Sequence, residues 1–176
     1  MKKPEMDIQL SWRAGKEFPA PPRPKLRALV SAVTDAACPG LLRVSLSFLS
    51  PKRMAEINER HLGHHGPTDV ICFDYRDAAM PDDEGDTPQV ELFLCPAVAA
   101  REAAKRGLPY SRELALYIVH GFLHAGGFDD LKPELKRKMR AAERRVCGKL
   151  PDALSGIFLF HPDGPSGKGG RHAGPA

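Results

Sequence analysis

The chain has 176 residues and a formal net charge of +4, with 42% hydrophobic and 27% charged residues, as in an ordinary soluble globular domain. This mild positive charge permits binding to a polyanion without requiring it. No apolar run approaches the roughly 20 residues of a membrane span, and no apolar core follows the N-terminal lysines as in a signal peptide, so we expect a cytoplasmic protein.

The first part of the chain predicts two strands and two helices in alternation. Residues 7–12 alternate apolar and polar side chains, as in a half-buried strand. Prolines open a helix over residues 21–37, whose apolar residues recur at helical spacing. Residues 43–50 alternate again and predict a second strand. A Ser-Pro pair at 50–51 then provides the N-cap and first turn of a helix that ends near Arg60.

Two further strands and a third helix are predicted in the middle of the chain. Residues 61–67 and 77–88 predict loops, and the second of these is acidic and rich in turn residues. Residues 68–75 and 89–95 have the apolar patterns of strands. The helix over 96–107 closes at its final glycine.

Two strong helices and a tail complete the chain. One helix starts at a serine cap, Ser111, and ends at the glycine pair 126–127, and the other covers residues 132–148. The Gly/Pro-rich residues 161–176 predict a flexible tail. We therefore expect one α+β domain over residues 1–160, in which about four strands form a mixed sheet packed with about five helices.

The cysteines do not have the spacing of a metal site, whereas two of the histidines do. Four widely spaced cysteines form no CxxC pair, so reduced thiols are expected. In the segment VHGFLHAGGFDD, His120 and His124 are four residues apart and share one helix face. The glycine pair can reverse the chain and bring Asp129 or Asp130 to the same ion. Two imidazoles and one carboxylate suit zinc and leave a coordination position open. The alternative is a helix that carries two histidines by chance.

The residue that follows the first histidine bears on the reaction. A metalloprotease helix reads HExxH, and its glutamate is the general base. Here that position is Gly121. Peptide hydrolysis by the usual zinc route is therefore disfavoured.

Several segments resemble one protein family. HGFLHAGGFDD resembles the HGxLHxxGYDH signature of the YbeY family, whose three histidines bind zinc. PTDVICFDY is similar to the family's PTDVLSFP, and VELFL is similar to its GDIFI strand. SRELALYIVHGFLH resembles the RELxHLxVHGxLH approach to the signature, and MRAAE resembles the MxxxE that follows. The five segments occur in the family's order over about residues 44–146.

The resemblance implies a function and a set of site residues. The family is described as metal-dependent, single-strand-specific endoribonucleases that mature the 3′ end of 16S rRNA and serve in ribosome quality control. One zinc ion is then expected on His120, His124 and Asp130, and Arg112 and His120 are the expected catalytic residues. The expected partners are single-stranded ribosomal RNA and the small ribosomal subunit, with no membrane and no DNA.

The sequence departs from the family pattern in three ways. Asp130 stands where the third histidine is usual, and Leu62 stands at the position of a functionally important arginine. Val90 and Glu91 replace the GD of the sheet motif, so the carboxylate stays and the glycine is lost. Two other functions remain open: a non-catalytic ribosome assembly factor with a structural metal, and a metal-dependent hydrolase of another substrate.

The remaining candidates are polar residues near these motifs. Asp69 can orient a ligand histidine or cap a turn. The helix over 132–147 has a basic face, which suits RNA phosphates but is also typical of a solvated surface. The loop histidines and a histidine near the tail can approach substrate, although solvated histidines are commoner there: His61, His64, His65 and His161.

Overall fold

The computed structural model describes residues 5–77, 87–152 and 156–162, and within these ranges it contains four strands and five helices. In chain order they are β1 (Asp7–Arg13), α1 (Arg23–Ala37), β2 (Arg43–Leu49), α2 (Pro51–Leu62), β3 (Val70–Asp74), β4 (Val90–Leu94), α3 (Pro96–Arg106), α4 (Tyr110–Ala125) and α5 (Pro133–Cys147). The acidic loop predicted at 77–88 and the tail predicted at 161–176 lie almost entirely outside the described residues, and the domain boundary at residue 160 stays a prediction.

The four strands form one mixed sheet in the order β1-β2-β4-β3. Strands β1, β2 and β4 run parallel, and β3 pairs with β4 in the antiparallel sense. Alternation along β2 buries Val44, Leu46 and Phe48, whereas the residues between them are only partly buried. The sheet therefore has one core face, on which α4 packs with α1 and α5 against it, and this confirms the predicted α+β class.

Helix α4 is the most deeply buried helix of the fold. It packs against strands β3 and β4 and against α1, α3 and α5. Apolar residues on several sides make this possible, and Leu114, Ile118, Phe122 and Leu123 are fully buried. The helix that carries the two histidines is therefore held rigidly from several directions.

The ends of two helices differ from the predictions. Ser50 caps α2 as expected, since its hydroxyl accepts a hydrogen bond from the Arg53 amide at 3.4 Å. Ser111 does not cap α4: the helix begins one residue earlier, and the Ser111 hydroxyl accepts the Phe158 amide at 3.1 Å. Helix α2 extends two residues beyond its predicted end and closes at Gly63 in the left-handed conformation.

Two further findings concern the helices and the cysteines of the described residues. None of the helices in the described ranges is both long and apolar enough to cross a membrane. All four cysteines are free, and Cys38 and Cys95 are buried.

Candidate metal centre

Gly121 sets how closely α4 approaches the sheet. A Cβ at this position would lie 2.9 Å from Leu92 Cδ2 and 3.1 Å from Val70 Cγ2, closer than van der Waals contact allows. The helix therefore lies directly on strands β3 and β4 at the level of His120. A glutamate side chain does not fit here, so the general base of a zinc protease is excluded for a steric reason as well as by the sequence.

The turn after α4 reverses the chain. Gly127 has a φ of +88°, a conformation that favours glycine, and its amide bonds to the His124 carbonyl. The Asp129 carboxylate then accepts the amides of Asp130 and Leu131 at 2.7 and 3.1 Å. Asp129 therefore stabilises the turn with its own side chain, and Asp130 is the carboxylate that lies beside the histidines.

Three potential ligand atoms converge at this turn. One ligand atom from each of His120, His124 and Asp130 lies within 4.8 Å of the other two. The two Nε2 atoms are 2.9 Å apart, and the Asp130 carboxylate oxygens are 3.9 Å from His120 Nε2 and 3.8 Å from His124 Nε2. All three side chains are half-buried. No other group of this kind occurs in the described part of the chain.

The hydrogen bond at Nδ1 of each histidine determines whether its Nε2 carries a proton or a lone pair. His124 Nδ1 lies 3.1 Å from the Phe128 carbonyl oxygen, which can only accept, so this nitrogen carries the proton. His120 Nδ1 lies 2.7 Å from Glu143 Oε1, and an ionised carboxylate likewise only accepts. Both Nε2 atoms then present lone pairs to each other at 2.9 Å. Two such lone pairs repel unless a proton or a metal ion lies between them, and the two nitrogens are placed to share either one.

The electrostatic environment of His120 also favours a cation. Burial acts to lower the pKa of His120, but the hydrogen bond and charge of Glu143 act in the opposite direction, as do the charges of Asp69 and Asp130. The net result is a pKa above the ordinary value for histidine. Positive charge is therefore stabilised at this ring, whether a proton or a metal ion supplies it.

The sequence left open which residue orients a ligand histidine, and Asp69 and Glu143 differ in this respect. The Asp69 carboxylate accepts the Val70 amide at 2.8 Å and the Thr68 hydroxyl at 2.9 Å, so its side chain bonds to its chain neighbours and acts on His120 through its charge. Glu143 is the residue that contacts the ring, a role that the sequence reasoning did not assign. The signal was its position one helical turn after Met139, which is buried, because this spacing turns the glutamate towards α4.

A groove adjoins the metal centre. It has a volume of about 1000 Å³ and lies between α4 and α5. Arg112, Arg140 and Arg144 line it, and so does Glu143, whose carboxylate also reaches His120. Its other carboxylates have partners of their own, including Glu113, which accepts a hydrogen bond from Arg106 at 2.8 Å. The groove therefore presents exposed guanidinium groups together with the carboxylate that contacts a candidate metal ligand.

The remaining candidates lie outside this cluster. His61 packs edge-on against Phe73 with 5.3 Å between ring centroids, and His65 is exposed beside Glu59. His64 is also exposed, and the His161 amide bonds to the Glu17 carbonyl. Leu62 is 48% exposed at the end of α2. Two basic residues of α5, Lys136 and Arg137, are exposed but do not line the groove.

Comparison with known proteins places this arrangement in context. The family model described as "Endoribonuclease YbeY" matches residues 22–151. Proteins named endoribonuclease YbeY are similar to the chain in Frankia casuarinae (34% identity, covering 73% of this chain and 68% of the relative), Frankia alni (33%, 82% and 86%) and Mycolicibacterium smegmatis (30%, 94% and 94%). The solution structure of a Thermotoga maritima protein covers 81% of this chain and 90% of its own, with a TM-score of 0.50 and 22% identity, and supports the fold alone.

Proposed function

This chain belongs to the endoribonuclease YbeY family, and we propose that it is a zinc-dependent endoribonuclease that cleaves single-stranded RNA. The proposed substrate is 16S rRNA of the small ribosomal subunit near its 3′ end, and the proposed setting is ribosome maturation and quality control in the cytoplasm. Membranes and DNA are not proposed partners. The pair of facing imidazole nitrogens at 2.9 Å is the observation that carries the proposal.

Zinc is the proposed ion because of the donor set. Two neutral imidazoles and one carboxylate suit zinc, and three protein ligands leave a position for substrate or water. Such an ion supplies Lewis acidity for attack on a phosphodiester. In this proposal His120, His124 and Asp130 hold the ion. Glu143 and the Phe128 carbonyl hold the two rings in the tautomer that binds it.

The groove between α4 and α5 is the proposed path of the RNA backbone. Arg112, Arg140 and Arg144 line it, and guanidinium groups bind phosphate through paired hydrogen bonds. Glu143 lines the groove and contacts His120 Nδ1, so the proposed path continues from the groove past this ring to its Nε2 side. We assign Arg112 to neutralise charge that develops on the reacting phosphate, in place of the arginine that the family usually has at position 62.

A cleavage assay tests this function. Purified protein is incubated with single-stranded and duplex RNA, either with stoichiometric zinc or with a chelator. We expect cleavage of the single strand only with zinc, no cleavage by His124→Ala, and full cleavage by the matched control His65→Ala, which removes an exposed histidine. Cleavage that survives the chelator or His124→Ala would contradict the proposal.

One observation favours a second function. Leu62 can neither donate a hydrogen bond nor carry charge, and it is exposed where the family usually has its arginine. A non-catalytic ribosome assembly factor would need the metal only to hold α4 and its following turn. Failure to cleave RNA with zinc bound would favour this second function over the first.

A further inference from the structure

A second cationic pocket lies on the face of the sheet that α4 does not cover. In β2 and β4 the buried residues, such as Leu46 and Leu92, point to the helical core. Their neighbours Ser47 and Phe93 therefore point to the opposite face. The strand register places Ser11 beside Ser47 and Ser47 beside Phe93, so these three side chains form one row across three strands.

Helix α2 forms the wall of this pocket. Arg53, Ile57, Arg60 and His61 occupy helix positions i, i+4, i+7 and i+8, which lie on one face. With Arg13 and the row of Ser11, Ser47 and Phe93, they line a pocket of about 340 Å³. The small serine side chains leave this space open between the sheet and the helix.

The charges of the pocket are unbalanced. Three guanidinium groups line it, from Arg13, Arg53 and Arg60, and no carboxylate is among its lining residues. Arg53 has a partner outside the pocket, since it lies 2.8 Å from Glu56. Arg60 lies close enough to Glu56 for its charge to contribute to the lowered pKa of that carboxyl, but neither Arg60 nor Arg13 forms an ion pair within residues 5–77, 87–152 and 156–162. Such a set of like charges favours an anionic ligand.

The other lining groups narrow the class of anion. Serine hydroxyls and guanidinium groups both donate hydrogen bonds to phosphate oxygens. Phe93 is only partly buried and His61 is exposed, so aromatic rings are available beside the cations. Unpaired nucleobases stack on such rings, whereas the bases of a duplex are already stacked on each other.

We propose that this pocket is a second RNA site, which holds one or two phosphates of a single strand and stacks a base away from the metal centre. This proposal rests on the proposed function, which makes RNA the bound polymer, because a ribonuclease must hold RNA beyond the bond that it cleaves. The site would fix where a long strand lies, and it takes no part in the cleavage step.

Binding of RNA to the metal-free protein tests the site without cleavage. We would measure the anisotropy of a labelled, uridine-rich 20-mer at several salt concentrations. The double variant Arg53→Gln, Arg60→Gln should weaken binding roughly tenfold and reduce the slope of log affinity against log salt by about 1.4, since each phosphate contact on a single strand contributes about 0.7. The matched control Lys25→Gln, Arg27→Gln removes two exposed charges from α1 and should change neither quantity.

A third variant tests the base. Phe93→Leu keeps an apolar side chain but removes the ring, so it should weaken single-strand binding severalfold and leave duplex binding unchanged; thermal melts verify that the variants fold. The proposal is overturned if the arginine double variant keeps the parental slope, or if the control pair loses as much affinity. If these binding differences hold but the parent never cleaves RNA, the proposed function fails while the second site stands.

Discussion

Replacing Glu143 with glutamine tests the arrangement that prepares His120 for a metal ion. The Glu143 carboxylate lies 2.7 Å from His120 Nδ1, and the side chains are only 16% and 20% exposed, so solvent screens the interaction weakly. Glutamine keeps the size and one acceptor oxygen but removes the charge. Loss of such a partner typically lowers metal affinity by about 10- to 100-fold, which corresponds to about 1.4–2.7 kcal/mol. We therefore expect Glu143→Gln to bind zinc in this weakened range.

The assay is a competition titration of zinc between the protein and a chromophoric chelator of known affinity, at fixed pH. Glu134→Gln is the matched control, because Glu134 is an exposed glutamate in the first turn of the same helix. The control should bind zinc as the parent does. Unchanged zinc affinity in Glu143→Gln, or an equal loss in Glu134→Gln, would refute the reasoning.

Four further predictions concern the metal centre and the residues around it. Asp130→Ala should weaken zinc binding while Asp129→Ala mainly destabilises the turn, and the opposite pattern in metal titrations would reverse the assignment of the two carboxylates. Arg112→Ala should reduce RNA cleavage on the order of a hundredfold or more with zinc still bound, and brisk cleavage by this variant would remove Arg112 from the reaction. Gly121→Ala should lower the free energy of unfolding in urea by about 1–2 kcal/mol, because the added methyl overpacks α4 against the sheet; a more stable variant would contradict the close contact. The raised pKa of His120 stabilises the metal-free fold fully below the ordinary pKa of about 6.5. This contribution is lost as the pH rises through the raised value, so substitution of His120 by Asn should flatten the fall in melting temperature across that window. An equally steep fall in the melting temperature of the variant would contradict a raised His120 pKa in the folded protein.

Local patterns were sufficient to predict most of the fold. Alternation along residues 43–49 identified β2, and the Ser50 hydroxyl caps α2 as its position indicated. Both features depend on residues close together in the chain. The cap predicted at Ser111 was wrong because this side chain bonds to a residue far away in the chain. Its hydroxyl bonds to the Phe158 amide, 47 residues away, and no local pattern reports that contact.

Part of the candidate site could likewise be predicted from local patterns, and part required the three-dimensional structure. Helical spacing and the glycine turn were enough to bring His120 and His124 together with a nearby carboxylate, although that they bind metal stays a prediction. The choice between Asp129 and Asp130 needed the hydrogen bonds of the turn. The role of Glu143 needed the packing of α5 on α4, because spacing alone shows which way a side chain faces and not what it meets.

The second cationic pocket could not be predicted from the sequence. Arg53, Arg60 and His61 share a face of α2, but an amphipathic pattern with exposed cations is ordinary for a surface helix. The pocket exists because α2 lies beside Ser11 and Ser47, and this depends on strand order and register. Neither is visible in one chain segment.

The position of a bound zinc ion tests the central claim most directly. Crystals of the zinc-loaded protein, measured on both sides of the zinc absorption edge, locate the ion by its anomalous scattering. We predict one peak between the Nε2 atoms of His120 and His124, at about 2.0–2.1 Å from each, with an Asp130 oxygen at about 2.0–2.2 Å. Stoichiometric zinc at any other place, or coordination that omits either histidine, would contradict the account.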